Sequence, residues 1–218
     1  MEKLKASLLA LLRNKWFCLF WLLAGFLYVT IYGMLYVVDP FTEGLRTVNI
    51  LGVTIEPTMR ATASIIGKTY PLAFHGWGII QSISIALNIL YTYRRYKYKS
   101  TAGYACLIAA AGCIVINNFI PSTEVFGLQL VAHWSTALLF GIFNAVALGL
   151  CLLHGAKQSK KFLATFIVFV AMLAAMIGLL AAFGKSGAIE SIPMWGAYLI
   201  LFLANFTGLY KDSLPDHA

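Results

Sequence analysis

Long apolar runs broken by short polar ones give this chain its pattern. The first apolar run reads from Trp16 to Val38, and others follow at about 71–93, 102–121, 127–153, 162–184 and 191–210. Each is near or above the ~18–20 residues that a helix needs to cross a bilayer core. The pattern predicts an all-α polytopic membrane protein, a six-helix transmembrane bundle forming one domain over residues 16–210. Residues 1–15 read as a basic amphipathic lead lying at the cytoplasmic surface, and residues 211–218 as a cytoplasmic tail. The Trp16–Val38 run is too long for the core of a signal peptide and is expected to remain as the first span.

One long outer loop, residues 39–70, interrupts the pattern. Val48 to Ile55 is compatible with a small hairpin, for which Asn49-Ile50-Leu51-Gly52 makes a poor turn, and a short helix over Pro57 to Gly67 is equally compatible, since proline suits a first helical position. The loop is expected to cap the bundle.

Composition sharpens the class. The 218 residues are 61% apolar and only 11% charged, where soluble domains carry roughly a quarter. The net charge of +8 raises the question of nucleic acid, but the positions of the charges answer it. Lys3, Lys5, Arg13, Lys15, Arg94, Arg95, Lys97, Lys99, Lys157, Lys160, Lys161 and Lys211 all fall on one side of the alternating spans, against Arg46, Arg60, Lys68 and Lys185 on the other. That bias orients membrane proteins with the basic side inward. Both termini are therefore expected in the cytoplasm, in a protein of the plasma membrane with no nucleic-acid partner. Cys18, Cys106, Cys113 and Cys151 lie within spans without a CxxC pair and read as small apolar residues.

Small residues recur every four positions at Ala137, Gly141, Ala145 and Gly149, and again at Ala174, Gly178 and Ala182. Such spacing lets helices approach closely and places the fourth span near the centre of a tight bundle. Formation of a homo-oligomer is compatible with the same pattern.

Polar groups inside spans are costly and point to function. His75 lies about 6 Å into the second span, Asn117 and Asn118 about 5 Å from the end of the third, and His133 about 9 Å into the fourth, all measured from the outer side. Asp39, Glu124 and Glu190 sit at span ends just above them, and Asn144 follows His133 three turns deeper on the same face. These eight residues define an expected outward-facing polar pocket. Membrane lipids are its natural partners. No HxxxH or HExxH pair is present, so neither a metal nor a cofactor is expected.

The stretch from Asn118-Phe119 through Pro121 to His133, Ala137 and Phe140 resembles a pattern in the DRAM/FRAG-type six-span membrane proteins and similar bacterial families. The resemblance covers ~30 residues. It implies a six-span fold with a long first outer loop, and for animal relatives a place at lysosomal membranes or in lipid-anchor remodelling.

Three functions follow as expectations. The first is a non-enzymatic protein that binds a lipid head group or small amphiphile in this pocket. The second is a membrane-embedded lipid hydrolase or acyl transferase, with His133 as candidate catalytic base and Ser82 or Ser135 as nucleophile. No nucleophile elbow supports it, and binding is placed ahead of catalysis. The third is a small transporter, weakened by the absence of a half-to-half repeat and by inner span halves that read as sealed with leucine, isoleucine and phenylalanine.

Overall fold

The structure, a computed structural model, describes residues 10–34, 37–38, 48–50, 53–55, 59–60, 62–120 and 127–210. Seven helices have both ends within these residues: α1 Lys15–Met34, α2 Ala63–Thr69, α3 Pro71–Arg95, α4 Thr101–Phe119, α5 Leu128–Ala156, α6 Lys160–Phe183 and α7 Gly187–Phe206. All but α2 are long and apolar enough to cross a membrane. The protein is an all-α integral membrane protein.

Short polar side chains start these helices. Asn14 accepts from the amides of Trp16 and Phe17 at 3.0 and 3.2 Å. Ser100, Ser159 and Ser186 do the same for α4, α6 and α7, each satisfying an amide that the first turn leaves unpaired. Pro71 opens α3, where its missing N–H is no loss.

Neighbouring helices run antiparallel and close into a ring in the order α1, α3, α4, α5, α6, α7 and back to α1. One end carries Arg94, Arg95, His154 and Lys160, and we call it the basic end. The other carries α2 and four short strands: β1 Val37–Val38, β2 Val48–Ile50, β3 Val53–Ile55 and β4 Met59–Arg60. There β2 and β3 form the expected hairpin, with Val48 opposite Ile55, while β1 pairs with β4. We call this the hairpin end. The short helix of the loop also forms, but over 63–69; Met59 and Arg60 are strand instead.

The hub is α3, which touches α1, α2, α4, α5 and α7. This corrects the expectation that the fourth span, α5, is central. Its small residues Ala137 and Gly141 are exposed, and a methyl group added at Gly141 or Gly178 would meet nothing within 4 Å. The α6 stripe and the hairpin-end half of the α5 stripe therefore face outward, while Ala145 and Gly149 are half-buried against the bundle. Helix α6 buries only Phe162 and Phe169 among its residues and packs on α5 and α7, so the rest of its apolar surface is left for lipid. The last span, expected from about 191, begins earlier, at Gly187 under the Ser186 cap, so Pro193 lies inside α7.

Candidate functional site

At the hairpin end, His133 joins three elements. It projects from the second turn of α5 and is only 1% exposed. Its Nδ1 lies 2.7 Å from the carbonyl oxygen of Ile120, just past the last turn of α4. A carbonyl can only accept, so Nδ1 carries the proton, and the imidazole satisfies a carbonyl that the helix end leaves without a partner. Nε2 is then the acceptor, and Ser64 of α2 donates its hydroxyl to it at 3.0 Å. The ring also lies beside Phe74 of α3, with centroids 6.2 Å apart.

Asn117 completes this cluster. Its amide nitrogen donates to the His133 carbonyl at 2.8 Å and to the Thr136 hydroxyl at 3.1 Å. Thr136 in turn donates to the Ala132 carbonyl at 2.8 Å. Asn117 is as fully buried as His133; its amide nitrogen and the His133 Nδ1–H join α4 to α5, while His133 Nε2 ties α5 to α2.

Asn118 belongs to a different surface. One residue further along a helix turns the side chain by about 100°. Asn118 therefore points at α3, where it fills the space left by Gly78: a methyl group there would come within 2.5 Å of its Oδ1. That oxygen is buried and has no hydrogen-bond partner among the described residues. His75 lies one turn toward the hairpin end from Gly78 on α3, half-buried.

The other expected site residues lie apart. Asn144 donates to the Phe140 carbonyl of its own helix at 2.9 Å, about 16 Å along α5 from His133. Glu190 pairs with Lys185 at 3.5 Å at the start of α7, and Lys185 also sits 5.5 Å above the Trp134 ring. Asp39 and Glu124 lie outside the described residues. Neither serine chosen from sequence meets His133. Ser135 is exposed and Ser82 is half-buried on α3; the hydroxyl on the imidazole is that of Ser64. No group of three or more histidine, cysteine or acidic side chains fit for a metal occurs among the described residues.

A second polar array went unread in the sequence. Gln81, Ser84, Asn88 and Thr92 line one face of α3 toward the basic end, all with 0% exposure. Gln81 donates to the Gly25 carbonyl at 3.0 Å, Ser84 to that of Trp21 at 2.7 Å and Asn88 to that of Cys18 at 3.2 Å. These carbonyls already accept within α1, so the contacts use their second lone pairs. On the other side, Thr92 donates to Asn205 Oδ1 at 3.0 Å, and Asn205 to the Asn88 carbonyl at 3.1 Å. The Tyr198 hydroxyl donates to Gln81 Oε1. The spacing of these α3 residues by three or four positions was the available signal. It also overturns the reading of the inner span halves as sealed by aliphatic and aromatic residues alone.

Compared with known proteins, the chain matches no family model, no curated protein and no solved structure.

Proposed function

We propose that this protein binds an amphiphile by its head group at the hairpin end, between α3 and α4, with the basic end in the cytoplasm. The observation that carries the reading is the buried Asn118 oxygen without a partner among the described residues, packed against Gly78 of α3 one turn from the half-buried His75. In a bilayer an unpaired polar group is costly, and an oxygen acceptor calls for a donor. The head group that fits therefore carries a hydroxyl or an N–H. A trimethylated amine has neither. His133, Asn117 and Thr136 hold the walls α4 and α5 in place, while Asn118 and His75 face the ligand. The resemblance of residues 117–144 to DRAM/FRAG-type proteins falls on the same elements and names no ligand. A transporter is less well supported, because most polar groups of the basic-end half are engaged with neighbouring helices. Asn88 Oδ1 and Arg95 Nε, buried without a partner among the described residues, are the exceptions, and unlike Asn118 the Asn88 side chain is fully sealed.

The test is native mass spectrometry of the purified protein in vesicles that mix ethanolamine, glycerol and choline phospholipids. Lipids with N–H or O–H head groups are expected to be retained over choline lipid, and the preference is expected to vanish in Asn118→Leu. Equal retention of all three by wild type, or an unchanged preference in the variant, overturns the proposal.

A further inference from the structure

We infer that Ser64 is a nucleophile that accepts an acyl group from a lipid ester, with His133 as its base. The identity of the substrate rests on the head-group reading above; the roles of the two residues rest on their own geometry. Ser64 donates to His133 Nε2 at 3.0 Å, and Nδ1–H is held on the Ile120 carbonyl at 2.7 Å. That second bond fixes the tautomer in which Nε2 is free to take a proton. The imidazole is 1% exposed, whereas Ser64 is half-buried on the short helix that caps this end. Ser64 is thus the less buried residue of the pair and the one placed to meet a lipid ester.

In the first step the Ser64 oxygen attacks the ester carbonyl carbon and its proton moves to His133 Nε2. The bond from that carbon to the alcohol oxygen then breaks, and the departing lyso-lipid alcohol takes the proton from Nε2. An acyl ester on Ser64 remains. In the second step water or the hydroxyl of another head group attacks this ester, again losing its proton to Nε2, which returns it to the Ser64 oxygen. A fatty acid or a new acyl ester leaves and both residues are restored, with no oxidant or further cofactor required. A backbone carbonyl holds Nδ1–H here in place of a carboxylate. It offers no full charge to an imidazolium, so turnover is expected to be slow.

The experiment is labelling of the purified full chain with an alkyl fluorophosphonate, with peptide mass spectrometry to locate the adduct. Wild type is expected to be labelled at Ser64, Ser64→Ala to lose that label, and Ser135→Ala to keep it. In His133→Gln the rate is expected to fall at least about 100-fold, the loss associated with a missing general base. Thermal unfolding shows whether the variants are folded. No adduct at Ser64 in wild type overturns the inference. So does labelling of folded His133→Gln at the wild-type rate. Lipid retention that depends on Asn118 without labelling of Ser64 leaves the head-group site standing and removes the nucleophile. Labelling of Ser64 with retention indifferent to Asn118 does the reverse.

Discussion

Toward the basic end, α3 turns Gln81, Ser84, Asn88 and Thr92 against α1 and α7; at the hairpin end, Asn117, His133 and Ser64 gather where α2, α4 and α5 meet, and Asn118 turns away from them toward α3. The residue types are alike, but the partners differ. In the first array most donors end on a backbone carbonyl of a neighbouring span or of α3 itself. Such acceptors are fixed by the helix that carries them, and every side chain of the set is sealed at 0% exposure. In the second, His133 is held by a helix end and by a hydroxyl on a short capping helix. Ser64, Asn118 and His75 are only partly covered. Polar groups paired with helix backbones join spans, while those left partly covered at a bundle end are free to meet a ligand.

The difference is sharpest at Gly25. A methyl group there would land 2.3 Å from the Tyr198 hydroxyl and 2.4 Å from Ser84 Oγ. Both are pinned, Ser84 on the Trp21 carbonyl and Tyr198 on Gln81. Gly25→Ala is therefore expected to destabilise by about 3 kcal/mol, the upper part of the overpacking range. Denaturant unfolding in detergent would measure it, and a variant as stable as wild type would show that the column yields like the other cluster.

Gln81→Leu comes next. It removes the bond to Gly25 and strands the Tyr198 hydroxyl in the core. A cost of about 2 kcal/mol is expected, with lipid preference unchanged. A shift in that preference would mean that the two arrays are coupled.

His133→Ala should fall below this. It frees the Ile120 carbonyl and the Ser64 hydroxyl, but both lie near a bundle end that water reaches more easily. About 1 kcal/mol is expected, near the range of interhelical bonds in membranes. Hydrogen exchange should rise at residues 117–120 and 62–66 and stay flat along 81–92. A uniform rise would place His133 with the structural column.

The spans themselves were legible because ~20-residue apolar runs have few alternatives. The hairpin was compatible with the apolar and β-branched residues of 48–55 in spite of a poor turn sequence. A short helix was expected beside it, but Pro57 was the wrong start, since the helix begins at Ala63 under the Thr62 cap. The hub was not. Small residues four apart in α5 mark a face that can be approached, not one that is, and Ala137 and Gly141 turned out exposed. The start of α7 was missed because hydropathy does not register a cap, and Ser186 begins the helix before the apolar run does. Within the site, His133 and Asn117 could be placed at one depth, since depth follows from residue number. The divergence of Asn117 from Asn118 needed the positions of α3 and α5. The partner of His133 could not be read at all, because Ser64 reaches it from a loop helix that is docked by Tyr32 donating to the Ala63 carbonyl at 3.0 Å.

The smallest expected effect on stability is also the most discriminating, because it repeats the Gly25 substitution at the other region. In Gly78→Ala the new methyl group meets the Asn118 amide at 2.5 to 2.9 Å. Nothing among the described residues holds the Asn118 oxygen, so the side chain can swing away. Alanine also favours a helix over glycine by up to about 1 kcal/mol, which offsets the displacement. Net stability is expected to stay within about 0.5 kcal/mol of wild type, while the preference for N–H and O–H head groups weakens because their acceptor has moved. One substitution, glycine to alanine, would then destabilise the bundle at α1 and leave its stability unchanged but its binding altered at α3. If Gly78→Ala instead destabilises as much as Gly25→Ala, Asn118 is a packing residue held as firmly as Tyr198, and the hairpin-end cluster is a second structural joint.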